Sequence, residues 1–246
     1  MPNDPYLDAS VRWRIRSGHV AFEEPRYADV VQTMLDVGIA TEVLALIGSG
    51  KEADVYVGHD GPVPVAIKAY RMYRSSHRGG RPIKVDTMGQ LAVHEFDMLV
   101  HAYRGGARVP EPGRRVENFL SMEFLGTPDG PAPRLREATP RDPAGFLDEL
   151  LRATRRLAQA GVVHSDLSPF NVLVHRGLPW FIDLGECYRV DRLGEAPWRR
   201  LTEAEAALTR GLGTFDRHFR RYGLRVDVEG ETRAIVEELD RFGVLD

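Results

Sequence analysis

Between residues 164 and 183 the chain concentrates groups suited to moving a phosphoryl group. His164-Ser165-Asp166-Leu167-Ser168-Pro169-Phe170-Asn171 fits the pattern H-x-D-L-x-x-x-N, and Asp183-Leu184-Gly185 follows it. Asp166 can orient an incoming hydroxyl and accept its proton, while Asn171 and Asp183 offer the hard oxygen ligands that Mg²⁺ takes beside water and phosphate. His164 reads as a structural hydrogen-bonding residue rather than a catalyst. Each group also has an ordinary reading: Asp166 as a loop residue, Asn171 as a cap, Asp183 as the end of a strand. Order along the chain separates the two readings, because three further features precede this cluster in the sequence a nucleotide-dependent transfer needs.

The first is Gly48-Ser49-Gly50-Lys51-Glu52-Ala53-Asp54-Val55, with the spacing G-x-G-x-x-G-x-V and Ala53 in the third glycine position. Small residues let the backbone approach phosphates, so Gly48, Ser49, Gly50, Lys51 and Val55 are candidate ATP-binding residues. Alone, a glycine turn in a hairpin explains this stretch equally well. It is not a Walker loop, since Glu52 follows Gly50-Lys51 and Ala45 stands where the first glycine belongs. It is not a Rossmann turn either, because strand rather than helix follows. The second feature, Val65-Ala66-Ile67-Lys68, places an ammonium on the next strand, where it can neutralise nucleotide phosphates. The third is Glu95, which falls within the helical stripe Met88, Leu91, Met98 and Ala102. A carboxylate there is costly unless paired, and Lys68 is its natural partner; at the edge of the stripe it would instead reach solvent.

The elements that must position these residues follow from periodicity. A short helix from Tyr27 stops near Gly38, and three antiparallel strands are expected over Val43–Ile47, Ala53–Val57 and Val63–Tyr70. A polar stretch from Ser75 to Pro82 reads as a mobile loop, followed by a helix over 87–103 ended by Gly105-Gly106. Leu120–Phe124 reads as another strand, and the Pro/Gly-rich connector 126–133 marks the lobe boundary. Asp142-Pro143 starts a helix running to Gly161, and Val172–Val174 and Trp180–Ile182 flank a Gly177 turn. From Thr202, with its capping-box spacing to Glu205, the remainder reads as helical.

Composition narrows the field. A chain of 246 residues with 43% hydrophobic and 28% charged residues is ordinary for a globular protein of one or two domains. A net charge of -3 gives no global basic field, so direct DNA binding is not expected. Arg217, Arg220, Arg221 and Arg225 read as a solvated helix face ahead of a docking face. The lone cysteine, Cys187, excludes an internal disulfide framework and reads as a packed thiol. The only lysines are Lys51, Lys68 and Lys84. With no secretory signal and no membrane-spanning run, a cytoplasmic location is the default expectation.

Several stretches resemble the RIO family of atypical serine/threonine kinases. Gly50-Lys51-Glu52-Ala53-Asp54-Val55-Tyr56 is similar to its G-K-E-A-x-V-Y loop, and His164 to Asn171 resembles H-G-D-L-S-E-Y-N. Met122-Glu123-Phe124-Leu125-Gly126, with Pro131-Ala132-Pro133-Arg134-Leu135, looks like its hinge and connector. The likeness runs from about Tyr27 to about Glu186 and favours the branch without an N-terminal winged helix. It implies an α+β, two-lobed protein-kinase-like fold: an N-lobe with an antiparallel sheet plus one helix, a mainly helical C-lobe, and a trimmed activation segment. Residues 1–26 would be a flexible arm, 27–123 the N-lobe with its short leading helix, and 124–246 the C-lobe. Glu123 and Leu125 would offer backbone hydrogen bonds to adenine, with Met122 lining the pocket behind. The implied activity is ATP- and Mg²⁺-dependent transfer to protein Ser/Thr, the chain itself included, or ATPase action with an aspartyl-phosphate at Asp183. An unidentified protein acceptor, and a ribosomal or ribonucleoprotein partner, follow by the same analogy. An aminoglycoside- or choline-type small-molecule kinase and a nucleotide-dependent scaffold are the alternatives. Ser165 departs from the family's usual glycine and Leu184-Gly185-Glu186 from its V-S-Q-like run, while Ala53 departs only from the wider kinase pattern.

Overall fold

The computed structural model describes residues 27–50, 52–70, 88–190 and 197–240. The expected arm at 1–26, Lys51 and the polar stretch 75–86 lie outside the described residues. In chain order the first elements are α1 (Tyr27–Asp36), β1 (Glu42–Ser49), β2 (Ala53–Asp60), β3 (Val63–Tyr70), α2 (Met88–Arg104), β4 (Pro112–Val116) and β5 (Phe119–Glu123). Then come β6 (Gly126–Thr127), β7 (Gly130–Pro131), α3 (Pro143–Gln159), β8 (Val162–Val163), β9 (Val172–His175), β10 (Leu178–Phe181), β11 (Tyr188–Arg189), α4 (Pro197–Phe219) and α5 (Val228–Asp240). The chain divides into two compact units, Met1–His94 with Gly113–Phe124, and Glu95–Pro112 with Leu125–Asp246.

The first unit is a five-stranded sheet in the order β1-β2-β3-β5-β4. Successive side chains of a strand point to opposite faces, so register sorts the sheet into two surfaces. Tyr56, Ile67, Ala69 and Phe119 pack with Met34 of α1 and Ile39 to form the core of this unit. The opposite surface carries Val55, paired with Lys68, and Ala66, paired with Met122, all only partly buried. The side of the sheet left uncovered by α1 is thus the one bearing Lys68. Bulges between Val43 and Ala45 and between Leu46 and Gly48 redirect β1 ahead of the glycine turn. β1 and β2 lie so close that a Cβ on Gly58 would stand 2.1 Å from the Glu42 carbonyl oxygen. β4 was not anticipated, because Pro112-Gly113-Arg114-Arg115-Val116 lacks apolar alternation. It is held by the Ser121 hydroxyl, which accepts from the Arg114 N–H at 2.9 Å, and by an Arg114–Asp60 ion pair.

In the second unit α3 begins as its sequence dictates. Asp142 is the N-cap and its Oδ1 accepts from the Gly145 N–H at 3.0 Å, with Pro143 opening the helix. Phe146, Leu147, Leu150, Thr154 and Leu157 are buried along one stripe. Residues 95–112 group with the second unit. The Arg108 carbonyl accepts from the Phe181 N–H at 2.9 Å, and the Arg108 guanidinium pairs with Glu149 at 3.2 Å. Gly105 lies so near Ala160 that a Cβ there would meet the alanine Cβ at 2.3 Å. One correction concerns α4, which begins at Pro197 rather than Thr202. Proline is well suited to a first helical turn, so the Thr202…Glu205 pair lies inside the helix instead of capping it.

Asp216, buried on α4, gathers three groups: the Val226 N–H at 3.0 Å, Arg225 at 3.0 Å and Arg220 at 2.6 Å. Two of the four arginines read as a solvated face are therefore partners of this carboxylate. The Val226 N–H, then the arginines, hold its carboxyl below the ordinary value of 3.8. Nearby, burial and then the Arg221 cation push His218 down to about 4; its Nε2 takes a 3.0 Å hydrogen bond from Arg221 Nη2. Both shifts favour the deprotonated form in the folded state, so the unfolded chain binds more protons and stability falls with pH. We expect Tm to decline as pH drops from 6.5 towards 4 through His218, and to fall further below 3.8 through Asp216. His218→Gln, which keeps a hydrogen-bond acceptor but no titration, should flatten the first part of a pH–Tm profile and leave the second.

Candidate active site

The sheet contributes a turn and a cation. Gly48 and Ser49 end β1, Gly50 follows, and the Gly50 N–H closes the turn on the Ala53 carbonyl at 2.9 Å. Ala53, in the third glycine position, is buried as the first residue of β2. Gly48 stands opposite Val55, and Val55 opposite Lys68, so the glycine turn, the β2 valine and the lysine lie in one row across the strands. Lys68 is half-buried, its Nζ 5.2 Å from the centre of the Tyr70 ring. Met122 and Glu123 end β5, the first half-buried and the second exposed. Leu125, buried in the second unit, gives its carbonyl to the Ala132 N–H at 2.8 Å.

The second unit holds the acidic cluster. Asn171, buried at the start of β9, donates from Nδ2 to the Asp166 backbone carbonyl at 2.9 Å and to Asp166 Oδ2 at 2.8 Å. That double donation turns the amide so that Asn171 Oδ1 and Asp166 Oδ1 remain as acceptors. The Asn171 carbonyl accepts from the Ile182 N–H at 3.0 Å, and the Ile182 carbonyl faces His164 Nε2 at 3.2 Å. His164 is buried against the Phe181 ring, 6.0 Å between centres, and burial lowers its pKa, which keeps it neutral and fits the structural role read from the sequence. These bonds tie the two arms of the β9–β10 hairpin and its flanks together and deliver Asp183 beside the loop that carries Asp166.

Asp183 adopts a left-handed backbone, φ 64 and ψ 66, and its side chain does not cap the short 3₁₀ turn Leu184–Glu186 that follows. Non-glycine residues are rare there, with Asp and Asn the best tolerated, and such outliers gather at functional sites. Buried Cys187 lies within the field of Glu95, Asp183, Glu186 and Asp166; burial first and these carboxylates second push its thiol up, so it stays protonated. Glu95 is itself only 2% exposed.

Two supports were not seen in the sequence. The Ser165 hydroxyl donates to the Glu186 carbonyl at 2.5 Å, linking the loop to the turn after Asp183. Leu167, between Asp166 and Ser168, is fixed by α4: Thr214 Oγ1 donates to its carbonyl at 3.1 Å, and a Cβ on Gly211 would meet Leu167 Cβ at 2.4 Å. Ser165 was visible only as a departure from the family pattern, and the α4 contacts join residues more than forty positions apart. Among the described residues no three His, Cys, Asp or Glu side chains converge into an all-protein metal cage. Nor is any described helix long and apolar enough to cross a membrane.

An antiparallel sheet bearing a glycine turn and a half-buried lysine, and a helical unit bearing H-x-D…N and D-L-G, are the parts of a protein-kinase-like fold. The RIO domain matches residues 65–229, more than half of the chain. The chain belongs to the RIO family. It is 33% identical over 200 residues to the RIO-type serine/threonine-protein kinase Rio1 of Haloferax volcanii, covering 76% of this chain and 65% of that protein. It is 31% identical over 188 residues to serine/threonine-protein kinase RIO1 of Caenorhabditis elegans, covering 68% of this chain and 37% of that one. The chain thus spans less than two thirds of either relative. Its fold is similar to that of the Rio2 kinase–ADP/Mg²⁺–phosphoaspartate complex from Chaetomium thermophilum, with a TM-score of 0.64, 20% identity, and coverage of 95% of this chain and 79% of that one.

Proposed function

We propose that this protein is an ATP- and Mg²⁺-dependent phosphotransferase of RIO type, acting on protein Ser/Thr hydroxyls, its own included, or on water. The observation that carries the reading is the Asn171 amide laid across Asp166 while its carbonyl holds Ile182, the residue before Asp183. The same bonds hold the backbone just before Asp183 against the Asp166–Asn171 pair, which supports the reading. In this reading Asp166 Oδ1 orients the acceptor hydroxyl and takes its proton. Gly48, Ser49, Gly50, Lys51 and Val55 would cover the phosphates, and Lys68 and Glu95 would serve to position them. Met122, Glu123 and the Leu125 N–H receive the adenine.

Asn171 Oδ1 and the Asp183 carboxylate fit a divalent cation that takes few protein oxygens and fills its shell with water and phosphate. Bound there, Mg²⁺ would screen phosphate charge that the protein alone does not neutralise. The relative described with a phosphoaspartate suggests a further role for Asp183. One of its carboxylate oxygens would attack the γ-phosphorus, ADP would leave with the electrons of the broken P–O bond, and water would later release inorganic phosphate.

Lys68→Met tests the nucleotide half. It should lower kcat/KM for ATP by about 10²-fold with little change in Tm, as read by phosphate release and thermal melting. Wild-type kinetics in Lys68→Met would remove Lys68 from the site. A panel of sugars and amino alcohols offered to the wild type should take up no phosphate; ready transfer to one of them would replace the protein-directed reading.

A further inference from the structure

The catalytic loop carries an exposed aromatic ring. Phe170, the residue between Pro169 and Asn171, is 44% exposed although it adjoins a buried amide. Its ring is covered by Arg136, whose guanidinium carbon lies 4.4 Å from the ring centre. The segment bearing Arg136 runs alongside the loop. The Arg136 N–H donates to the Pro169 carbonyl at 3.0 Å and the Leu135 N–H to Val172 at 2.7 Å, while Leu135 itself is fully buried. Arg221 closes the other end of the segment, donating to the Ala138 carbonyl at 3.1 Å and stacking on Tyr222 at 4.8 Å.

These arginines differ from others in the same unit. Arg108, Arg155, Arg220 and Arg225 each sit on a carboxylate. Arg134, Arg136 and Arg221 are exposed and make no ion pair among the described residues. Within 134–138 the only acid is Glu137, so the ledge keeps a positive surplus. A guanidinium stacked on a ring is held in place and keeps its donors free for a carboxylate.

We infer that this Arg136–Phe170 ledge docks the phosphate acceptor and selects a polypeptide with acidic residues next to its Ser or Thr. The inference rests on the phosphotransferase reading, because a hydroxyl brought to Asp166 carries its flanking residues past Phe170, four positions along the same loop. A nucleic acid is the weaker fit: the chain's net charge is -3 and the ledge offers three cations where stable phosphate-backbone binding recruits more.

The test uses the full chain, γ-labelled ATP and three synthetic peptides, each with one Ser flanked by Glu, by Ala or by Lys. Peptide-free ATP hydrolysis serves as the reference activity. Wild type should rank them Glu over Ala over Lys in kcat/KM, with steps of about three- to tenfold. Arg136→Glu should invert the Glu and Lys peptides, and Arg136→Ala should compress the ranking, both with hydrolysis and Tm unchanged. An unaltered ranking in Arg136→Glu overturns the inference. So does a wild type that hydrolyses ATP but labels none of the peptides. Loss of oligouridylate binding in Arg136→Glu, with the peptide ranking intact, would assign the ledge to RNA and also overturn it. A wild type that neither hydrolyses nor transfers would remove the phosphotransferase reading together with this one.

Discussion

Asp183→Asn is expected to reduce phosphate transfer by at least about 10³-fold while leaving the protein folded. Asparagine tolerates the left-handed backbone that Asp183 adopts nearly as well as aspartate does, so the exchange removes charge without adding backbone strain. What is lost is the carboxylate: the proposed metal ligand and, in the ATPase reading, the attacking oxygen. Phosphate release and acceptor labelling should both collapse, with Tm within a degree or two of wild type. If the variant instead keeps a large share of its activity, the assignment of Asp183 is wrong. A variant that loses activity because it unfolds would show that the backbone conformation, rather than the charge, depends on this aspartate.

Phe181→Ala should be the most damaging single truncation near the site. The ring is fully buried between the hairpin and His164, two residues before Asp183. Removing a buried phenylalanine costs about 3–5 kcal/mol through lost transfer energy and the cavity left behind. For a chain of this size that corresponds to a Tm lower by roughly 6–20 °C. The His164–Ile182 contact and the position of Asp183 depend on the same packing, so activity should fall at temperatures where the protein is still folded. A melting curve matching wild type would mean that the hairpin does not rely on this ring.

The sequence made much of this arrangement legible because the chemistry lies in short, ordered stretches. Val65-Ala66-Ile67-Lys68 alternates as a strand, and the register that puts Lys68 beside Val55 and Gly48 follows from the tight His59–Pro62 turn. Asp142-Pro143 announced the start of α3, and Gly177, at φ 74, the hairpin turn. Less was readable where the determinants are non-local. β4 carries two arginines and no apolar alternation, and only its pairing beside β5 makes it a strand. The start of α4 was misplaced because a good capping pair inside a helix looks the same as one at its end. The Thr214–Leu167 and Ser165–Glu186 bonds depend on tertiary proximity that spacing does not encode. The stacking of Arg136 on Phe170 is of the same kind.

In the proposed mechanism Asp166, Asn171 and Asp183 move the γ-phosphate of ATP with a divalent cation. The most direct measurement follows phosphate released or transferred from γ-labelled ATP by wild-type protein with Mg²⁺, with a chelator added, and by Asp166→Ala and Asp183→Ala. Turnover in wild type that the chelator and both substitutions each abolish is the predicted result. Turnover that persists in both substituted proteins would contradict the catalytic assignment, and tight ATP binding without turnover in wild type would leave a nucleotide-dependent scaffold in place of an enzyme.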